Sequence, residues 1–192
     1  MNVFVKGYAL PTVDRREWFR YMGARDASDE LCSLAESCLR EAEGCFRARV
    51  CYGEFPISVE AWNSRSLDEW LVGCDRVVIF AATVGLEIDR LIAKYSRVAP
   101  ARALCLQALG TERVEALCGV FCEEMKMRAQ KNGEIVTKRF SPGYGDLPLK
   151  MQKEVFRLLN CSVRIGLTLN ESLLMSPTKS VTAIMGIRKE NI

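Results

Sequence analysis

Arg139 and Tyr144 sit in the ten-residue stretch Arg139-Phe140-Ser141-Pro142-Gly143-Tyr144-Gly145-Asp146-Leu147-Pro148, which also holds two prolines, two glycines and one carboxylate. A guanidinium is a planar fork of donors that matches a carboxylate, and tyrosine offers a flat ring with a polar tip. Pro142 pre-sets its own φ and Gly143 can take positive φ, so Pro142-Gly143 predicts a type II turn. Gly143 and Gly145 leave the backbone open to close approach. Pro148 suits the first turn of a helix over 149–159. Such a loop could hold a small ligand carrying a carboxylate and a flat ring. The same residues would also make an ordinary strand-to-helix connection, and local chemistry leaves both readings open.

Composition narrows the chemistry further. The chain has 192 residues, enough for one domain with a real core, and its 49% hydrophobic and 27% charged content is that of a globular protein. No apolar run approaches the roughly 20 residues of a membrane helix, and the N-terminus has no signal-peptide pattern. The expected location is cytoplasmic. Net charge is +3 with Lys and Arg scattered, which gives no basis for nucleic-acid binding. With no His in the chain, Ser-His-Asp and Cys-His catalysis, His-ligated zinc and a His axial ligand to cobalt are excluded within it.

Nine Cys remain to be explained. Zinc sites favour Cys-x₂₋₄-Cys pairs. Cys118 and Cys122 come nearest, yet their i, i+4 spacing inside an apolar helical pattern suits packing better. An iron–sulfur site would want a further Cys soon after Cys122, and position 125 is Met. Reduced, structural thiols and no metal are the expectation.

The elements that must position the loop follow from periodicity. Asp14 caps a short helix through Tyr21, and Ser28 begins a longer one on which Leu31, Leu34, Ala35, Cys38, Leu39 and Ala42 recur at helical spacing. Phe46 to Tyr52 and Ile57-Ser58-Val59-Glu60-Ala61 alternate as strands. Ser66-Leu67-Asp68-Glu69 reads as a capping box before a helix ending at Gly73. Val77 to Ala82 is a continuous apolar run, as in a strand covered on both faces. Helices are expected from Leu86 to Ser96 and from Ala99 to Lys131, the second with a possible break near Gly110. Ile135 to Arg139, Val163 to Leu169 and Val181 to Ile187 read as strands. The expected fold is α+β, with a mostly antiparallel sheet and flanking helices in a single domain over 1–192, whose first 45 or so residues are mainly helical.

Three stretches resemble the S-adenosylmethionine-binding activation domain of cobalamin-dependent methionine synthase. They are Gly73-Cys-Asp-Arg-Val-Val-Ile-Phe-Ala-Ala-Thr-Val-Gly85, the 139–148 loop, and the segment 167–186 with its Pro177-Thr-Lys-Ser-Val-Thr182. Trp18-Phe-Arg-Tyr-Met-Gly23 is similar to the opening of the short free-standing forms. The resemblance implies a bent, mostly antiparallel sheet and a role in reductive activation. A cobalamin enzyme stalled as cob(II)alamin would be returned to methylcobalamin by an electron, from flavodoxin or another donor, together with the methyl group of S-adenosylmethionine. Proximity and orientation would be the domain's contribution, so the lack of His is compatible.

By the same resemblance, Arg139 would contact the methionyl part of the ligand, and Gly143 and Tyr144 would face ligand and corrin, with Tyr144 the residue nearest the chemistry. Phe140 lies within the matched loop. Glu115 matches an acidic helix position near the ligand's amino group, and a solvated helix face is its alternative. Lys179 and Ser180 belong to the third motif, as ligand contacts or as a turn. Ile184 and Met185 stand where the long enzymes carry aromatics, which leaves adenine contacts from there open. The chain lacks a Rossmann-type Gly-rich fingerprint and the Asp-x-His-x-x-Gly pattern of cobalamin carriers. Cobalamin would therefore be held by a partner chain. The alternatives are activation of another corrinoid methyltransferase, or a non-catalytic docking or ligand-sensing module of the same fold.

Overall fold

The computed structural model describes residues 2–24, 27–57 and 62–190. Strand β1 (Val3–Gly7) precedes helices α1 (Arg15–Tyr21) and α2 (Asp29–Ala42). Strand β2 (Arg49–Pro56) and helix α3 (Arg65–Trp70) lead to β3 (Arg76–Thr83), followed by α4 (Glu87–Tyr95) and α5 (Pro100–Gln130). After β4 (Glu134–Val136) and the loop come a 3-10 turn (Leu149–Met151), α6 (Gln152–Leu159) and α7 (Cys161–Ile165). The small hairpin β5 (Thr168–Leu169) and β6 (Met175–Ser176) precedes β7 (Ser180–Lys189). Five strands form one antiparallel sheet in the order β1-β2-β3-β7-β4, so the α+β, antiparallel expectation holds.

Strand β3 shows why the sheet is central. Val78, Phe80 and Ala82 belong to one core with Trp18, Cys38 and much of α5, while Val77, Ile79 and Ala81 belong to a second core with Leu67, Val155 and Leu159. Successive strand side chains point to opposite faces, and both faces are covered, as the apolar run 77–82 predicted. Helices α1, α2, α4 and α5 lie on the first face, and α3, α6 and α7 on the second. The Phe121 ring of α5 stands 4.7 Å from Phe80 and 5.1 Å from Tyr52, tying helix to sheet.

Several elements depart from the sequence reading. The segment read as a strand from Phe46 begins at Arg49 and extends to Pro56. Positions 58–61 of the alternation read at 57–61 lie outside the described residues. The cap of α3 is Ser64, whose Oγ accepts from Leu67 N at 3.1 Å, and Ser66 lies inside the helix with its N–H donated to Asp146. Helix α5 passes Gly110 without a break. Val163 to Ile165 is helix, not strand. Cys161 and Ile165 are buried one turn apart while Val163 is exposed, and left-handed Asn160 and Gly166 stop the helix at both ends. Strand β1 has no counterpart in the sequence reading.

Gly110 carries a packing reason. A Cβ there would lie 2.9 Å from Lys179 Cγ, so the lysine stem crosses α5 at a point with no side chain. The Lys179 amine then donates to Thr111 Oγ1 at 3.1 Å.

Candidate functional site

The loop 139–148 is built against the edge of β7. Phe140 and Ile184 exchange two backbone hydrogen bonds of 2.8 Å, and Thr137 N donates to Gly186 O at 2.9 Å. Alternation along an antiparallel strand then turns the backbone groups of Thr182 to the same side. There the loop has already turned away. Tyr144 N donates to Ser141 O at 3.1 Å with Gly143 at φ +93°, which is the expected type II turn. Gly145 at φ +55° lets the loop touch α3, since a Cβ would stand 2.7 Å from Ser66 Oγ.

Asp146 fastens that contact. Its carboxylate accepts from Ser64 Oγ and from the amides of Arg65 and Ser66, and these bonds pull its pKa down to about 2. At the other end of α3, Trp70 Nε1 donates to Lys138 O at 2.7 Å, and the Trp70 and Phe140 rings lie 5.5 Å apart. The helix therefore holds the loop on both sides of Arg139.

Between loop, β7, α5 and α6 lies a cleft of about 520 Å³. Glu115, Arg139, Phe140, Tyr144 and Ser180 line it, so five residues singled out in the sequence come together. Trp70, Gln152, Met175 and Thr182 also line it, from outside the loop. Arg139 Nη2 pairs with Glu115 Oε2. Burial works against the arginine cation, yet Cys118 and the Glu115 carboxylate beside it hold its pKa above the ordinary value. Among the described residues, three buried side-chain polar atoms lack a hydrogen-bond partner: Arg139 Nη1, Gln152 Oε1 and Thr182 Oγ1. All three residues line this one cleft. Tyr144 stands at its mouth, 69% exposed.

The remaining candidates sit elsewhere or are already engaged. Gly143 forms the turn without lining the cleft. Lys179 is not on its wall, and burial pushes the lysine pKa below the ordinary value, with Asp89 opposing. The Ser180 hydroxyl is bonded to Pro177 O and Thr83 Oγ1. Ile184 and Met185 are fully buried in the two cores. Sequence reading missed Trp70, Gln152, Met175 and Thr182. Met175 and Thr182 lay within the matched segment 167–186, which could have flagged them, whereas Trp70 and Gln152 lay outside every quoted motif. A larger cleft of about 700 Å³, lined by Leu10, Val13, Leu39 and Phe46, contains none of the sequence candidates. Among the described residues, no three His, Cys, Asp or Glu side chains are grouped to hold a metal, and no helix is long and apolar enough to cross a membrane.

Fold and cleft together describe an α+β domain with a cleft beside strand β7, into which Arg139 and Glu115 bring opposite charges. Residues 69–191 match the family model described as vitamin B12 dependent methionine synthase, activation domain, and the chain belongs to that family. A solved structure described as the MetH reactivation domain bound to AdoHcy has the same fold. Its TM-score is 0.71 at 16% identity, and the match covers 100% of this chain and 80% of that one. No curated protein sequence matches.

Proposed function

We propose that this chain binds S-adenosylmethionine in the Arg139 cleft and assists the reductive return of cob(II)alamin to methylcobalamin on a methionine synthase that holds the corrinoid as a separate chain. Family membership supports the broad role. The observation that carries the ligand is the Arg139–Glu115 pair, a cation and an anion side by side on one cleft wall with Arg139 Nη1 left unpaired. An amino-acid end is a matching pair of charges: its carboxylate suits the guanidinium, and its ammonium suits Glu115. The fold neighbour's ligand, AdoHcy, is the demethylated form of S-adenosylmethionine.

The bound ligand would supply the methyl group, and a reductant such as reduced flavodoxin would supply one electron. The chain's own residues bind and orient. Arg139 and Glu115 fix one end of the ligand, α3 and Asp146 stiffen the loop, and Tyr144 at the mouth meets whatever docks there. With no His in this chain, the corrinoid is assigned to the partner. Nine unpaired thiols suit a reducing cytoplasm.

The test mixes this protein with a cobalamin-loaded methionine synthase lacking the domain, S-adenosylmethionine and a reductant, and follows loss of the cob(II)alamin spectrum. The expected result is faster loss with this protein present. Equal rates with and without it would overturn the proposal.

A further inference from the structure

Gln152 and Thr182 are 6% and 3% exposed, and each ends in an oxygen with no partner. Folded proteins retain few such atoms, because a buried polar group left unpaired lowers stability. Both residues lie on the wall of the cleft that holds Arg139. Their partners are therefore to be sought in what that cleft binds.

The layout says which part of the ligand they meet. Glu115 comes from α5, on the first face of the sheet, and Gln152 comes from α6, on the opposite face. Thr182 lies on the strand between them. A ligand anchored by its amino-acid end on Arg139 and Glu115 must cross the β7 edge to fill the cleft. Its far end then reaches Thr182 and Gln152. Met175 and the Trp70–Phe140 ring pair add apolar surface to the same cavity, as a flat heterocycle requires. The inference rests on the amino-acid-end assignment made above.

We propose that Gln152 and Thr182 are specificity-determining residues for the nucleoside end of the ligand, and that Gln152 selects adenine. A carboxamide carries an acceptor and a donor side by side. It can accept from the exocyclic N6 amino group and donate to N7 of adenine, a bidentate match. Hypoxanthine places an acceptor oxygen where adenine has the amino group, so the Gln152 oxygen would face another acceptor. The Thr182 hydroxyl supplies one further hydrogen bond to the nucleoside.

Calorimetry on the full chain with S-adenosylhomocysteine and S-inosylhomocysteine tests this directly. Wild-type protein should prefer the adenine ligand by roughly ten- to a hundredfold, the discrimination expected of one bidentate pair. Gln152→Leu should erase that preference, and Thr182→Val should weaken both ligands. Each variant also removes an unpaired buried oxygen, so the ligand-free protein should melt no lower than wild type. A purely structural role would lower melting temperature and affinity together. Arg139→Ala should weaken both ligands equally and leave the preference intact. Equal wild-type affinity for the two ligands, or a preference that survives Gln152→Leu, would overturn the assignment of Gln152 while leaving the amino-acid end in place. Wild-type protein that binds neither ligand would overturn both.

Discussion

The Asp146 carboxylate accepts a hydrogen bond from Ser64 Oγ at 2.5 Å, so a residue of the 139–148 loop shares in capping the helix beneath it. Ser64 itself caps α3 through Leu67 N, and Asp146 takes the amides of Arg65 and Ser66. Loop and helix start are one hydrogen-bonded unit. This relationship explains why Gly145 must lack a side chain and why Ser64, though polar, is buried.

Asp146→Asn should therefore loosen the loop, lowering both melting temperature and ligand affinity. The pH dependence has a defined sign. The folded-state pKa of about 2 lies below the ordinary carboxylate value, so the stabilisation is complete above roughly pH 4 and is lost as pH falls towards 2. Melting curves between those limits should drop for wild type and stay flatter for Asp146→Asn. Parallel curves would remove Asp146 as the cause.

Arg139→Ala should weaken S-adenosylmethionine binding by about ten- to a hundredfold, since a lost charge-assisted hydrogen bond is worth roughly 1.5–3 kcal/mol. Arg139→Lys should recover little, because a single ammonium cannot reproduce the fork. Calorimetry beside circular dichroism separates lost binding from lost fold.

Tyr144→Phe should slow reactivation of the partner more than it weakens S-adenosylmethionine binding. The ring is exposed at the cleft mouth, where a second molecule would dock. An effect on rate that exceeds the effect on affinity marks a group acting after the ground state. Rate and affinity falling by the same factor would make Tyr144 a simple ligand contact.

Gly110→Ala should destabilise the protein, even though alanine is the better helix former by about 1 kcal/mol. The new methyl meets Cγ, Cδ and Cε of Lys179, at 2.9 to 3.2 Å. Displacing that stem breaks the bond to Thr111. Lys179→Ala in the same chain should restore the helix-propensity gain, giving a non-additive double-mutant cycle. Additive effects would show that the two residues do not oppose each other.

Much of the framework was legible because its signals are local. The Pro142-Gly143 turn, the caps at Asp14 and Ser28 and the doubly covered run 77–82 each follow from a few adjacent residues. The errors fall where tertiary contact decides. Val163-Arg164-Ile165 has β-branched residues at alternate positions, yet the Cys161–Ile165 spacing into the second core made it helix. Strand β1 is an edge with four exposed positions, so it carried no burial pattern to read. Within the site, Arg139 and Tyr144 were visible in one short loop. Gln152 and Trp70 were not, because they reach the cleft from other elements and no sequence spacing links them to it.

The missing side chain at Gly110 also sets how α5 can lie along the sheet. The helix runs for 31 residues with apolar positions along most of its length, a surface on which many longitudinal offsets would bury similar area. Sliding by one turn would bring Leu106 or Val114 under the lysine stem, where either side chain would obstruct it. Lys179 and Gly110 thus act as tooth and notch. The helix that delivers Glu115 to Arg139 is indexed against β7 by an absence of atoms, roughly one and a half turns along α5 from Glu115 itself.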